Sequence, residues 1–182
     1  MSRARFLLAV GAVALLGAGL GSSVADAGHR ACRLHVEGHL ASGSRMLDID
    51  VPWDSDKGGS PFNFTDSCND IAFGRLARAW TKLQTMPEGR TVTIESTSES
   101  ILAWRQAGYL VLEPQHNQDD HHSRIKIPDY IVNTMVDHDG RISQRDIERL
   151  ASERGKVTLV KVSSDQGDLS VWVGAATKDD ED

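Results

Sequence analysis

Apolar and polar residues alternate with a period of two over several short stretches of the chain. Between Leu47 and Val51 every second residue is apolar, and aspartates separate the apolar positions. This period is typical of a strand with one buried face and one wet face. Similar short apolar stretches lie at 32–36, 92–95, 101–104, 109–112, 124–127, 157–162 and 169–173. We therefore expect about eight strands, most of them paired as antiparallel hairpins.

Two other stretches have the spacing of an amphipathic helix. In 71–83 apolar residues recur every three or four positions, which places them on one side of a helix. Ser143 and Asp146 are spaced as a capping box for a second helix, at 146–154. The residues 130–135 fit a shorter helical turn.

The order of these elements occurs twice along the chain. Leu34 and Leu110 begin similar strands, and a proline follows each leucine by eighteen positions. Each half then has a helical segment, a glycine, a Val-Thr strand and a closing strand that ends in Trp104 or Trp172. An internal repeat of this kind is the strongest sequence indication of architecture.

We predict an α+β fold made of two tandem β-β-α-β-β repeats, 28–107 and 108–174. The sheet is expected to be mainly antiparallel, with the helices packed on one face. Each half alone would have a small core, so we expect the halves to share one. Trp80, Trp104 and Trp172 are predicted to lie in that core.

The pattern of both halves resembles a group of small exported bacterial proteins of unknown function. The resemblance rests on alternating strands, a proline, a short helix, a Gly-x-Val-Thr strand and a closing Val-Trp-Val, which here ends at Val173. It extends over most of the chain after residue 27. It implies an α+β repeat fold and carries no catalytic residue.

The N-terminus has the pattern of a targeting segment. Two arginines precede an apolar run at 6–20, and Ala25-Asp-Ala27 supplies the small residues that a signal peptidase reads. We predict a cleaved signal peptide at 1–27, a secreted or periplasmic location, and no membrane attachment after cleavage. An uncleaved membrane anchor is the alternative, because 6–25 is nearly long enough to cross a bilayer.

The charge of the chain argues against nucleic acid as a partner. The formal net charge is −6, and no run of basic residues is visible in the sequence. The acidic end, within 175–182, is expected to be a disordered, solvating tail. An acidic chain without a basic stripe is a poor nucleic-acid binder.

The segment from Asp137 to Asp146 is similar to the second half of an EF-hand loop. The resemblance implies calcium as a cofactor, held by Asp137, Asp139, Ser143 and Asp146. Two positions depart from the pattern, because Met135 stands where the first ligand belongs and Asp146 is shorter than the usual glutamate. An Asp-Gly turn followed by a capped helix is the alternative reading.

Two further clusters are candidates for binding. The histidines and aspartates of 116–122 could hold zinc, copper or nickel, and a solvated hairpin tip is the alternative. Trp53, Phe62 and Phe64 lie in or beside a loop and are a possible interaction surface, with packing onto the core as the alternative.

No known catalytic motif is present in the sequence. The sequence therefore favours an exported, non-catalytic binding or interaction protein of the bacterial envelope, with a protein or an envelope component as its partner. We expect the partner to contact a sheet edge or the Trp53 loop. The alternatives are a metal-binding module for calcium or zinc, and a hydrolase with an atypical site.

Cys32 and Cys68 are predicted to form a disulfide, because an exported chain meets an oxidising compartment. Closing this loop would stabilise the fold by roughly 3–4 kcal/mol in the chain-entropy model. Protein recovered from such a compartment should show no free thiol on denaturation in a thiol-reagent assay. Two titratable thiols per chain would contradict the prediction.

Overall fold

The computed structural model describes residues 32–52, 62–63, 73–95, 100–115 and 123–175. The predicted signal peptide, Trp53, Phe64, Cys68, the cluster at 116–122 and the tail from 176 onward lie outside the described residues.

The described chain contains ten strands and three helices. The strands are β1 (Cys32–Leu40), β2 (Arg45–Pro52), β3 (Phe62–Asn63), β4 (Thr91–Glu95), β5 (Ser100–Gln106), β6 (Tyr109–Gln115), β7 (Ser123–Pro128), β8 (Arg141–Ile142), β9 (Lys156–Ser164) and β10 (Gly167–Ala175). The helices are α1 (Phe73–Gln84), α2 (Asp129–Asp137) and α3 (Gln144–Arg154).

Eight strands form one antiparallel sheet in the order β2-β1-β10-β9-β7-β6-β5-β4. The short strands β3 and β8 pair with each other outside it. Hairpins join most neighbouring strands, as the alternating pattern predicts. The expectation of an α+β fold with an antiparallel sheet is confirmed.

The two halves of the chain are arranged differently within this sheet. Strands β6, β7, β9 and β10 of the second half are consecutive neighbours at its centre. The hairpins β1-β2 and β4-β5 of the first half lie on opposite flanks, so β2 and β4 are the two sheet edges. Because β1 pairs with β10 and β5 pairs with β6, both halves belong to one continuous sheet.

The helices cover one face of the sheet. Helix α1 contacts β4 and β5, α2 contacts β6 and β7, and α3 contacts β9 and β10. One core cluster contains buried residues of both halves, including Val36, Leu76, Leu110, Ile147 and Val171. Fully burying a side chain of this size stabilises a fold by about 1.5–3 kcal/mol.

Two of the three tryptophans predicted for the core lie elsewhere. Trp80 is 2% exposed and its indole Nε1 donates to Asn133 Oδ1 at 2.8 Å, which ties α1 to α2. Trp104 and Trp172 are half-buried, and their strand register places them on the face away from the helices. The core prediction is therefore right for Trp80 and wrong for Trp104 and Trp172.

Glycine is required where α2 ends and the chain turns toward α3. Gly140 has φ +88, and its N–H donates to the Met135 carbonyl at 2.7 Å. A Cβ atom at this position would lie 2.8 Å from Phe73 Cγ, so any larger residue would push against α1. None of the described helices combines the length and apolarity that a membrane span requires.

Replacing Leu110 with alanine should destabilise the fold by about 2–5 kcal/mol, because it leaves a cavity beneath the helices. Leu110 is 0% exposed on a central strand. Chemical denaturation measures the loss. Leu40→Ala is the matched control, since Leu40 is 41% exposed and its truncation should cost less than about 0.5 kcal/mol. Equal losses for the two variants would contradict the assigned core.

Candidate functional site

We call the face of the sheet away from the helices the open face. It carries every second side chain of the eight strands. Its register is continuous from one edge to the other. One row consists of Asp48, Glu37, Ser170, Lys161, Lys126, Val111, Trp104 and Thr91, one residue from each strand. Along this row the side chains change from acidic to basic and then to apolar and aromatic.

Four cations lie along the two central strands of the open face. Lys156 and Lys161 belong to β9, and Lys126 and Arg124 belong to β7. We call them the basic stripe. Counted through the register, the stripe extends roughly 20 Å along the strands, at about 3.3 Å per residue. The expectation that the chain has no basic stripe is wrong, because residues distant in sequence meet on adjacent strands.

Lys126 and Lys161 are directly opposite each other on β7 and β9. Their Cβ atoms in such a pair are about 5 Å apart, and like charges so placed destabilise a sheet. Among the described residues no carboxylate forms an ion pair with either ammonium group. An anion bound between the two lysines would remove this repulsion.

Three aromatic rings flank the stripe, and each contacts a cation. Lys156 Nζ lies 3.8 Å from the centroid of Trp172. Lys161 Nζ lies 5.7 Å from the ring of Tyr109, and the Arg124 guanidinium lies 5.9 Å from that of Trp104. Such contacts hold long basic side chains close to the sheet surface.

The charges at the β1-β2 flank of the open face neutralise each other. Arg33 Nε donates to Asp50 Oδ1 at 2.8 Å. The Arg45 guanidinium donates to Glu37 at 2.8 Å and to Asp48 at 2.6 Å. The hydrogen bond from Arg45 holds the pKa of the Glu37 carboxyl below its usual range. This flank is therefore a paired ionic surface, whereas Lys126 and Lys161 of the stripe have no carboxylate partner in the described part of the chain.

At its Arg124 end the stripe adjoins a groove, which we call the Trp104 groove. Its volume is about 570 Å³, and it is open to solvent. Its lining consists of Glu88, Gly89, Thr91, Leu102, Trp104, Arg105, Gln106, Glu113 and Arg124. Arg124 Nε donates to Glu113 Oε2 at 2.7 Å, with Glu113 14% and Arg124 54% exposed. The groove thus combines an indole with two guanidinium groups and two carboxylates.

The loop predicted to bind calcium has a structural role around Asp146. The Ser143 hydroxyl and backbone N–H both donate to Asp146 Oδ2, at 2.6 and 3.1 Å, and the Asp146 N–H donates to Ser143 Oγ. This is the capping box expected from the sequence, and it starts α3. The hydrogen bonds from Ser143 lower the pKa of the Asp146 carboxyl.

The other two predicted calcium ligands lie on the preceding turn. Asp137 is the exposed last residue of α2, and Asp139 is exposed with φ 51. Within the described ranges, no group of three or more His, Cys, Asp or Glu side chains is placed to hold a metal ion. The calcium site stays a prediction.

Two other predicted features are only partly within the described chain. Cys32 is half-buried at the start of β1, where burial raises the pKa of its thiol and Glu148 raises it further. Its predicted partner Cys68 lies outside the described residues, so the disulfide stays a prediction. The Phe62 backbone pairs with that of Ile142, which places the segment after the Trp53 loop beside the α2–α3 turn.

The sequence contained signals for the open face that the core prediction missed. Trp172 stands between Ser170 and Gly174 on the polar phase of β10. Arg124 and Lys126 likewise share the polar phase of β7. Period-two alternation could therefore have placed these residues on the solvent-facing side of their strands. Which residues they meet on neighbouring strands depends on the strand order of the sheet.

Comparison with protein-family models, curated proteins and solved structures finds no match for this chain. The resemblance to small exported bacterial proteins therefore stays an expectation based on sequence pattern.

Replacing Asp146 with alanine should destabilise the protein by about 1 kcal/mol at neutral pH, because the N–H and hydroxyl of Ser143 lose their carboxylate acceptor. The Asp146 pKa is lowered on folding, so its contribution is present above the unfolded value near about 3.9 and is lost as pH falls through the folded pKa. Denaturation at several pH values should show wild type and Asp146→Ala converging in acid.

Adding calcium during these measurements separates capping from ligation. A structural role predicts the same wild-type stability with and without calcium. A calcium-dependent stabilisation that Asp139→Asn removes would instead establish the predicted calcium site.

Proposed function

We propose that the chain is an exported, non-catalytic binding protein of the bacterial envelope, and that its open face binds a linear polyanion. The observation that carries this proposal is the basic stripe on a chain whose formal net charge is −6. Lys126 and Lys161 repel each other, and an anionic ligand between them offsets that cost. The non-catalytic part of the proposal is supported by the absence of a known catalytic motif from the sequence.

A linear polymer fits this face better than a flat anionic membrane. The acidic side chains of Glu37, Asp48 and Asp50 share the open face with the stripe. The β2 acids lie three strands from β9, or about 14 Å, which exceeds the Debye length of about 8 Å at physiological salt. A polymer following β9 and β7 lies over the four cations and passes the carboxylates of Asp168 and Glu113 only at the Arg124 end of the stripe. A bilayer surface would also meet the three acids of β1 and β2, whose charge the two arginines there offset only in part.

A polymer also fits better than a protein partner with an apolar interface. Among the described residues the large hydrophobic side chains that are well exposed are Leu40 and Met46, at the far end of the β1-β2 hairpin. Neither lies in the stripe. Stable protein interfaces usually have an apolar centre with a polar rim, and the stripe has a charged centre.

We also infer that the halves 28–107 and 108–174 are two copies of one β-β-α-β-β unit. Matching β1, β2, β4 and β5 with β6, β7, β9 and β10 maps six of the seven strand pairings onto one another. The pairing β7-β9 is the exception, because its counterparts β2 and β4 are the sheet edges. Trp172 faces His35 and Trp104 faces Val111 in matching registers, which supports the inferred duplication.

Replacing Lys126 with glutamine should weaken binding of dextran sulfate while stabilising the protein. Removing the like-charge pair is worth about 0.2–1 kcal/mol of stability. Losing one cation near a polyanion costs about 1 kcal/mol of binding, close to fivefold in affinity. Titration calorimetry at low and physiological salt and chemical denaturation measure the two effects.

One control makes the same lysine-to-glutamine substitution away from the stripe, and the other replaces the polyanion with an uncharged polymer. Lys82→Gln changes an exposed lysine on α1, on the helix side, and should retain wild-type affinity. Uncharged dextran should not bind. Wild-type affinity in Lys126→Gln and in the double variant Lys126→Glu/Lys161→Glu would overturn the proposal.

A further inference from the structure

The Trp104 groove differs from the matching position beside Trp172. The His35 ring stacks on Trp172 with centroids 5.2 Å apart and planes 7° apart, and Lys156 contacts the same indole. Opposite Trp104 stands Val111, which is 1% exposed and lacks a ring that could extend over the indole. The position beside Trp104 that corresponds to that of His35 therefore has no aromatic side chain.

The guanidinium of Arg124 is positioned to receive a carboxylate. Its Nε is held by Glu113 at 2.7 Å, and its Nη atoms have no hydrogen-bond partner among the described residues. The ion pair with Glu113 fixes the orientation of the fork, while 54% of the side chain remains exposed. A planar fork of this kind binds a carboxylate through two parallel hydrogen bonds.

The other lining groups suit the remaining surface of a sugar. The Trp104 indole and Leu102 provide an apolar platform, and the indole Nε1 lies 3.4 Å from Gln106 Oε1. Thr91, Gln106 and Glu113 supply hydroxyl, amide and carboxylate groups that exchange hydrogen bonds with ring hydroxyls. The groove is open to solvent, so one face of a bound sugar unit would remain in water.

We infer that the Trp104 groove binds a carboxylated sugar, with its carboxylate on Arg124 and its ring against Trp104. This inference rests on the proposed function, because the groove is continuous with the basic stripe through Arg124. The polyanion on the stripe is then an acidic polysaccharide, and one of its sugar units occupies the groove. A nucleobase is a weaker fit, because a strand of bases needs successive bare rings and Trp172 is already in contact with His35 and Lys156.

The inference is tested by titrating the full mature chain with trigalacturonate and with its methyl ester. Binding is measured by tryptophan fluorescence and by calorimetry. The two ligands share their rings and differ in the carboxylate. The acid should bind, and the ester should bind at least about tenfold more weakly. Arg124→Lys keeps the charge but loses the fork, and it should weaken binding of the acid on the order of tenfold. Trp104→Ala should have a similar effect.

Arg149→Lys is the matched control, because Arg149 is 55% exposed and also contacts a carboxylate, but lies on α3. It should bind trigalacturonate as wild type does. Circular dichroism of each variant confirms folding, and Arg124→Lys keeps the test decisive if Trp104→Ala does not fold.

Four outcomes would overturn the inference. Equal binding of acid and ester, or wild-type affinity in Arg124→Lys, would remove the carboxylate site. Tighter binding of a single-stranded oligonucleotide that depends on Trp104 would assign the groove to a nucleobase. Shortening of trigalacturonate, seen by mass spectrometry, would replace binding with catalysis. Retention of dextran sulfate through Lys126 and Lys161 tests the stripe separately, so failure of the groove can be distinguished from failure of the proposed function.

Discussion

The structure depends on an eight-stranded antiparallel sheet that is covered by helices on one face only. Since successive side chains of a strand point to opposite faces, half of the strand residues pack under α1, α2 and α3 and half face outward. The covered half supplies a single core cluster drawn from both halves of the chain. The outward half does not pack against the helices, so polar and charged residues are tolerated there. The basic stripe and the Trp104 groove lie on this face.

The strand order then decides which outward side chains become neighbours. The pairing of β7 with β9 brings Lys126 beside Lys161, and the pairing of β5 with β6 brings Trp104 beside Val111. In the first pair the contact is repulsive, while in the second a small side chain leaves an indole accessible. Both are local compromises in stability or packing, and such compromises are typical of binding surfaces.

The two candidate chemistries of the chain differ in how local they are. The capping box of Ser143 and Asp146 is built within one turn of chain, and its acceptors already serve backbone and hydroxyl donors of α3. The cluster of Glu113, Arg124 and Trp104 draws on three strands instead. A pattern read along the sequence finds the first kind readily and misses the second.

The sequence by itself determined the elements of this protein. Alternation marked the strands, and the apolar spacing through Leu76, Trp80 and Leu83 defined the buried side of α1, because both signals are local. The tertiary structure alone decided the face of Trp104, since the apolar run 101–104 has no polar phase that separates its two sides. It also decided the stripe. The cations of β7 and β9 become neighbours only because these two strands pair, and α2 and α3 lie between the two strands in the sequence.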